Sequence, residues 1–379
     1  MSDFTGKEPI RVLQVIGIMN RGGAEAMIMN LYRNVDRNRV QFDFVEHSEE
    51  AAVFDDEILS LSGKIYRCPR YTGKNHLAYV KWWKAFFDKH AGEYRIVHGH
   101  IGSTASIYLG IAKHYGLFTI AHSHNTDGAL SVYAVLYKLL SYRTRSIADY
   151  FFACSVQAGI DRFGARTAKQ KDRCRVLNNA IDTTAFAFNG MVCNQTREGL
   201  GLTKDDFVLG HVGRFMDQKN HGFLIDVFSE IVKREPNAKL LLVGDGPLRK
   251  QIENKAAGLG LSDRVIFTGV RSDVAELMQA MDVFVFPSKF EGFGVALLEA
   301  QTAGLPCVIS DSIPKDAVIT KDLITTCSLQ DAPAEWAEHV LSRKQEARSD
   351  HSEEVKAAGF DIRETAKWLE GFYLDKAKQ

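Results

Sequence analysis

Two cations, two carboxylates and a glycine turn form a set suited to a phosphorylated ligand. In Phe286-Pro287-Ser288-Lys289-Phe290-Glu291-Gly292-Phe293-Gly294-Val295-Ala296-Leu297-Leu298-Glu299-Ala300 an apolar run ends at Phe286, a glycine-containing turn follows, and a helical pattern opens near Gly294. Backbone N–H groups at such a helix start can hold phosphate oxygens. Glu291 and Glu299 lie eight residues apart, a little over two helical turns. Glu291, in the turn, can meet sugar hydroxyls, and Glu299, inside the helix, can accept hydrogen bonds from a ribose diol. The plain alternative is a capped helix with one solvated glutamate; the coincidence of strand end, turn and both carboxylates favours a site. Upstream, Gly213-Arg214-Phe215-Met216-Asp217-Gln218-Lys219-Asn220 follows another apolar run, Phe207–Val212. Arg214 and Lys219 can converge there on a diphosphate, one as a planar fork and the other as a point charge. An Arg and a Lys are ordinarily solvated surface cations, and it is their place after a buried strand that argues for function.

A third turn, Gly17-Ile18-Met19-Asn20-Arg21-Gly22-Gly23-Ala24-Glu25, joins the first apolar run to an amphipathic pattern. Paired glycines let a backbone approach a ligand, and a helix N-terminus favours anions, although such glycines also serve turn geometry alone. His122-Ser123-His124-Asn125 follows the run Phe118–Ala121, and His98-Gly99-His100 ends the run before it. Two His-x-His pairs raise the question of a metal. The sequence offers no obvious further ligand, so the expectation is no metal site, a hydrogen-bonding role for His122, and packed strand-end positions for His98 and His100. Between Tyr66 and Arg95, Arg67, Arg70, Lys74, Lys81, Lys84 and Lys89 alternate with aromatic residues. Leu77, Val80, Trp83 and Phe87 fit one buried helical stripe. The cations then face water, an anionic acceptor or a membrane surface.

The elements that must position these residues are legible as short apolar runs with helical patterns between them. In the first half the runs are Arg11–Met19, Gln41–Glu46, Arg95–His98, Phe118–Ala121, Tyr150–Cys154 and Arg175–Leu177. In the second half they are Phe207–Val212, Lys239–Val243, Arg264–Phe267, Val283–Phe286 and Cys307–Ser310. Uninterrupted apolar runs suit parallel strands buried on both faces, and their alternation with helices gives doubly wound α/β sheets. Ligands of such sheets bind beyond the carboxyl ends of the strands, where the turns above fall. From about Ala180 to Thr203 the pattern breaks into Asn, Thr and Gly, which reads as a linker. Ile362, Ala366, Leu369 and Tyr373 give the last segment helical spacing.

At 379 residues the chain is too long for one ordinary core and comfortable for two. Its 45% apolar and 25% charged residues are those of a soluble globular protein. A formal net charge of zero argues against nucleic acid as the main partner. The six cysteines include no CxxC pair, several sit in apolar runs and read as small buried residues, and a long chain with so few reads as a reduced, cytosolic protein. The polar Met1–Pro9 segment lacks the apolar stretch of a signal peptide. No run reaches the ~20 apolar residues of a membrane helix; Ala129 to Leu140 comes nearest and contains Lys138.

Taken together these motifs resemble glycosyltransferase family 4, the large retaining family with the GT-B fold. Gly213-Arg214…Lys219 and Glu291…Glu299 are similar to its E-x7-E donor site, and Gly22-Gly23-Ala24-Glu25 to its first glycine loop. Val176-Leu177-Asn178-Asn179-Ala180-Ile181-Asp182 resembles its interdomain segment, with Ala180 where Gly is usual. Ala153-Cys154-Ser155 and His122-Ser123-His124-Asn125 resemble the branch that builds bacterial capsules and exopolysaccharides. The resemblance implies two facing Rossmann-like domains with parallel sheets. Residues 1–182, with a C-terminal helix (360–379) crossing back, would bind the acceptor, and 183–359 would bind the nucleotide sugar. By the same resemblance Gly213, Arg214 and Lys219 serve the diphosphate, Glu299 the ribose, and Glu291 the donor sugar, with Val270, Gly292, Phe293, Gly294 and Val295 completing the donor site. His122 then touches the sugar near its reacting carbon, and Gly22 and Gly23 let their loop close over the diphosphate.

The implied activity is retaining transfer from a nucleotide sugar, a UDP-hexose or UDP-N-acetylhexosamine, to a hydroxyl of a saccharide or lipid-linked saccharide in cell-surface or exopolysaccharide biosynthesis. It places the protein in the cytoplasm or peripherally at the inner membrane face. No pair of carboxylates resembles a DxD metal site, so no cofactor beyond the donor is expected. No nucleophile is evident opposite the leaving group, which favours front-side attack over the double displacement of retaining glycosidases. A sugar-nucleotide epimerase or hydrolase on the same architecture, and a non-catalytic nucleotide-sugar-binding partner of another transferase, are the competing readings.

Overall fold

A computed structural model describes residues 8–20, 22–124 and 142–378. Arg21, Asn125, the 129–140 stretch and most of the N-terminal segment lie outside the described residues. The chain forms two compact units, one of Met1–Ala180 with Ile362–Gln379 and the other of Ile181–Asp361.

The first unit holds β1 (Ile10–Ile16), β2 (Val40–Glu46), β3 (Ile65–Arg67), β4 (Ile96–Gly99), β5 (Phe118–Ser123), β6 (Tyr150–Ala153) and β7 (Cys174–Val176). They pair in parallel in the order 3-2-1-4-5-6-7. Val12 and Ile16 of β1 face one core while Leu13 and Val15 face the other. Burial on both faces is why the run is apolar throughout. Helix Ile362–Lys376 covers the first of these faces, with Ile362, Ala366, Leu369 and Tyr373 packed against Ile96, Ile120 and Phe152.

The second unit holds β8 (Phe207–Val212), β9 (Ala238–Val243), β10 (Val265–Gly269), β11 (Val283–Phe286), β12 (Cys307–Ser310) and β13 (Ile324–Cys327). All pairings are again parallel, in the order 10-9-8-11-12-13. In both sheets the chain runs outward from the first strand, returns, and continues on its other side. The resulting switch points, between β1 and β4 and between β8 and β11, are where open α/β sheets bind ligands.

Every apolar run becomes a strand, and β8, β11 and β12 keep the expected bounds. The short strands β3 and β13, at the edges of their sheets, had no apolar run to reveal them. Two expectations need correction. The Ala180–Thr203 stretch is not a linker: it carries helices Thr183–Phe186 and Gly190–Gly199 of the second unit. Asp182 accepts from the N–H groups of Thr184 and Ala185 at 3.1 Å each, and Asn189 from those of Met191 and Val192 at 3.0 and 3.3 Å. Residue types that resemble a linker are helix N-caps here. The buried stripe of helix His76–His90 is also rotated. It consists of Tyr79, Trp83, Phe86 and Phe87, while Leu77 is 84% exposed. Tyr79 decides the rotation, since its hydroxyl lies 3.1 Å from buried His47 Nε2.

Candidate active site

In the second unit the turn after β8 is stitched to the end of β9. Gly213 N–H donates to Val243 O at 2.9 Å and Phe215 N–H to Asp245 O at 2.9 Å. The close approach requires glycines at 244 and 246. A Cβ on Gly244, whose φ is +135°, would lie 2.2 Å from Gly213 O, and one on Gly246 would lie 2.6 Å from Phe215 O. Phe215 is buried and stacks on His221, with ring centroids 4.1 Å apart. This anchor leaves Arg214 exposed beside it, without an ion pair among the described residues. The Lys219 chain folds back over Gly213, where a Cβ would meet its Cγ and Cδ at 3.3 Å.

Lys219 Nζ reaches Glu291 Oε1 at 2.6 Å and lies 4.9 Å from the centre of the Phe286 ring. Glu291 is nearly buried, its side chain 6% exposed against 18% for Lys219. Gln218 fixes the turn after β11 by donating to Phe290 O at 2.9 Å, and Lys289 N–H donates back to Gln218 O at 2.8 Å. Gly294, at φ +88°, precedes helix Val295–Thr302, whose N-terminus has no side-chain cap. The start of this helix is therefore open to an anion. Burial pushes the Glu299 carboxyl up to about 8, against the pull of the Lys219 charge. Arg214, Lys219, Glu291, Glu299 and the Gly292–Val295 helix start thus gather at the β8/β11 switch point. Phe293 is buried against Phe360 at 5.2 Å, leaving only its backbone to serve a ligand. Val270, just after β10 and 52% exposed, lies at the outer strand of this sheet.

In the first unit the turn after β1 is held by Glu46, whose Oε2 accepts the Met19 N–H at 3.1 Å and pairs with Arg67 at 2.7 Å. Desolvation raises the Glu46 carboxyl to about 7. Gly22 precedes helix Gly23–Asn34, and a Cβ there would lie 2.2 Å from Glu25 Oε2, whereas Gly23 has open space. Beside this turn a pocket of about 950 Å³ opens over the carboxyl ends of β1 to β4, lined by Gly17, Asn20, Ser48, Glu49, Arg70 and Ser103 among others.

At the ends of β4 and β5 four histidines join. His98 Nε2 lies 3.2 Å from His122 Nδ1, and His100 Nδ1 lies 2.7 Å from His124 Nε2. Burial keeps all four neutral, their pKa values driven down. One nitrogen from each of His98, His100 and His122 falls within 4.8 Å of the others, a spacing that can hold a metal ion.

The family model described as "Glycosyltransferase Family 4" matches residues 21–185, and "Glycosyl transferases group 1" matches residues 194–356. "Putative glycosyltransferase EpsF" of Bacillus subtilis (strain 168) is 37% identical over 334 residues, covering 87% of this chain and 86% of that protein. The chain belongs to glycosyltransferase family 4. The "UDP-Gal:alpha-D-GlcNAc-diphosphoundecaprenol alpha-1,3-galactosyltransferase" of Escherichia coli is 34% identical over 139 residues, 36% of each chain. Among solved structures, Anabaena Alr3699/HepE in complex with UDP has a TM-score of 0.75 at 19% identity, covering 95% of this chain and 98% of that one. The same protein with UDP-glucose gives 0.72 at 18%, with the same coverage. The two-domain α/β architecture of this family 4 enzyme is the GT-B fold.

Several residues of the glycosyltransferase escaped the sequence reading. Gly244 and Gly246 lie in a plain strand-to-helix turn, and only the fold shows the backbone they abut. His211 donates from Nδ1 to Val285 O at 2.8 Å behind the cationic turn, a position without a sequence signal. Tyr373 was visible as an apolar position of the last helix, but its hydroxyl lies 2.6 Å from His98 Nδ1.

Proposed function

We propose that this glycosyltransferase takes a sugar from a nucleotide sugar, a UDP-hexose or UDP-N-acetylhexosamine, and transfers it with retention to a hydroxyl of a saccharide acceptor. The observation that carries the reading is the β8/β11 switch point, where exposed Arg214, Lys219 paired to Glu291, and an uncapped helix start stand together. Departure of a nucleoside diphosphate builds negative charge, and preorganised cations and N–H dipoles stabilise it without reorganising. Arg214, Lys219 and the backbone of Gly292–Val295 are assigned to that charge, Glu291 to the donor sugar, and Glu299 to the ribose. Val270 is assigned to the edge of the donor site. Gly22, Gly23 and His122 are assigned from the first unit to the diphosphate and to the sugar. The likeness to HepE, solved with UDP and with UDP-glucose, supports uracil as the base.

We assign front-side attack, in which the acceptor hydroxyl replaces the leaving phosphate on the same face and gives that phosphate its proton. The pocket above β1 to β4, with carboxylate, guanidinium and hydroxyl groups on its walls, suits a saccharide acceptor. A lipid-linked acceptor fits the named substrate of the Escherichia coli relative and exposed Leu77 on a helix that also exposes Lys81 and Lys84. No helix of the described residues is long and apolar enough to cross a membrane. Such an enzyme would serve cell-surface polysaccharide synthesis.

The test offers the purified chain UDP-glucose, UDP-galactose and their N-acetylated counterparts with a lipid-linked monosaccharide. The product linkage is read by NMR coupling at the anomeric carbon. An α-linked product from an α-donor is expected. Donor loss without a glycosylated acceptor would point to a hydrolase or epimerase, and a β-linked product would refute retention.

A further inference from the structure

We propose that Tyr373 and His98 are positioning residues: a buried hydrogen-bond chain from the last helix fixes His122 in a single tautomer, with its Nε2–H offered to a sugar hydroxyl. The offer to a sugar rests on the function proposed above; the chain and its tautomers stand on geometry alone. The Tyr373 hydroxyl lies 2.6 Å from His98 Nδ1, and His98 Nε2 lies 3.2 Å from His122 Nδ1. All three side chains are buried. Tyr373 is held by packing against Phe42, with ring centroids 5.9 Å apart.

The proton order follows from donor and acceptor chemistry. Burial raises the Tyr373 pKa, so the phenol keeps its proton and needs an acceptor. Two groups meet this hydroxyl, His98 Nδ1 at 2.6 Å and the Gln14 amide, and since Gln14 Oε1 already faces His100 Nε2 at 2.9 Å, His98 Nδ1 is the acceptor. Neutral His98 then carries its proton on Nε2 and donates it to His122 Nδ1. Neutral His122 must carry its own proton on Nε2, an atom that is buried and has no partner among the described residues. A second chain has the opposite sense. Gln14 Oε1 accepts from His100 Nε2 at 2.9 Å, so His100 Nδ1 accepts from His124 Nε2. That leaves His124 Nδ1 with an open lone pair, also buried and without a partner among the described residues. The His122 and His124 rings lie 4.1 Å apart. The end of β5 therefore presents one donor and one acceptor side by side, the complement of a hydroxyl group, which is both.

The same cluster invites a metal reading through His98, His100 and His122. The chains argue against it, because both ring nitrogens of His98 and of His100 already have hydrogen-bond partners. A cation would have to break them.

Long-range ¹H–¹⁵N correlation spectra of the full chain labelled in histidine test the tautomers directly, with His98→Gln and His122→Gln supplying assignments. Nε2–H tautomers are expected for His98 and His122, and Tyr373→Phe, which keeps the ring, is expected to mix both. In the same variant kcat should fall roughly five- to tenfold, the size of one lost hydrogen bond, with donor KM unchanged. An Nδ1–H tautomer at either histidine in the parent protein, or unchanged tautomers or kcat in Tyr373→Phe, would overturn the proposal. So would stoichiometric zinc binding that shifts His98, His100 and His122 together. If the parent protein transferred no sugar, the functional reading would fall while the spectrum still decided the chain.

Discussion

Glu299→Gln tests both the electrostatics of the donor site and the role of the carboxylate. Burial raises its pKa from 4.5 to about 8. A carboxyl raised on folding costs no stability below its unfolded pKa, and costs progressively more as pH climbs toward its folded pKa. Each pKa unit is worth about 1.4 kcal/mol, which sets a ceiling of about 5 kcal/mol above pH 8 and about 3 kcal/mol at pH 7. Glu299 keeps partial solvent contact, so we expect about 2 kcal/mol in practice. A neutral amide removes the penalty. Glu299→Gln should therefore melt roughly 4–8 °C above the parent at pH 8 without ligand, and the gain should shrink toward pH 4.5. Scanning calorimetry from pH 5 to 8.5 reads this directly. A ribose diol donating to the ionised carboxylate would pull its pKa back down. Binding of UDP near pH 7 should then release a proton in the parent and none in the variant, as titrations in buffers of different ionisation enthalpy would show. A destabilised variant, a gain that does not vary with pH, or equal proton release in both proteins would refute the reasoning.

Arg214→Ala and Lys219→Met should each lower kcat by about 10²–10³-fold while the fold survives, since each removes charge compensation at the leaving diphosphate; steady-state kinetics with circular dichroism checks both. Gly244→Ala should destabilise the second unit and abolish nucleotide binding, because its Cβ would lie 2.2 Å from Gly213 O and push the Arg214 turn away. Melting and UDP titration of that variant read the two effects. Asn189→Ala should cost about 1 kcal/mol through loss of the N-cap of helix Gly190–Gly199 without changing donor KM, which denaturant titration and kinetics would separate.

Much of this was legible in the sequence because burial on both faces of a parallel sheet makes each strand an uninterrupted apolar run. The runs at Phe207–Val212 and Val283–Phe286 marked the strand ends that carry Arg214, Lys219, Glu291 and Glu299, and the fold gathers these four at one edge. What stayed hidden has a common physical cause. Asp182 and Asn189 act through local backbone hydrogen bonds, so their residue types alone look like a linker. Leu77 satisfied the helical period, but the period fixes a stripe only to within a residue, and Tyr79 took the buried face. Gly244, Gly246 and Tyr373 matter through partners far along the chain: Gly213, Phe215 and His98. Such long-range contacts leave no local periodicity.

The most direct test of the central claim is calorimetric titration of the parent protein and Arg214→Ala with UDP, GDP and ADP. UDP is expected to bind in preference to GDP and ADP, and Arg214→Ala to lose most of that affinity while remaining folded. Binding of no nucleoside diphosphate, or equal UDP affinity in the two proteins, would contradict the assignment of the β8/β11 switch point to a nucleotide sugar.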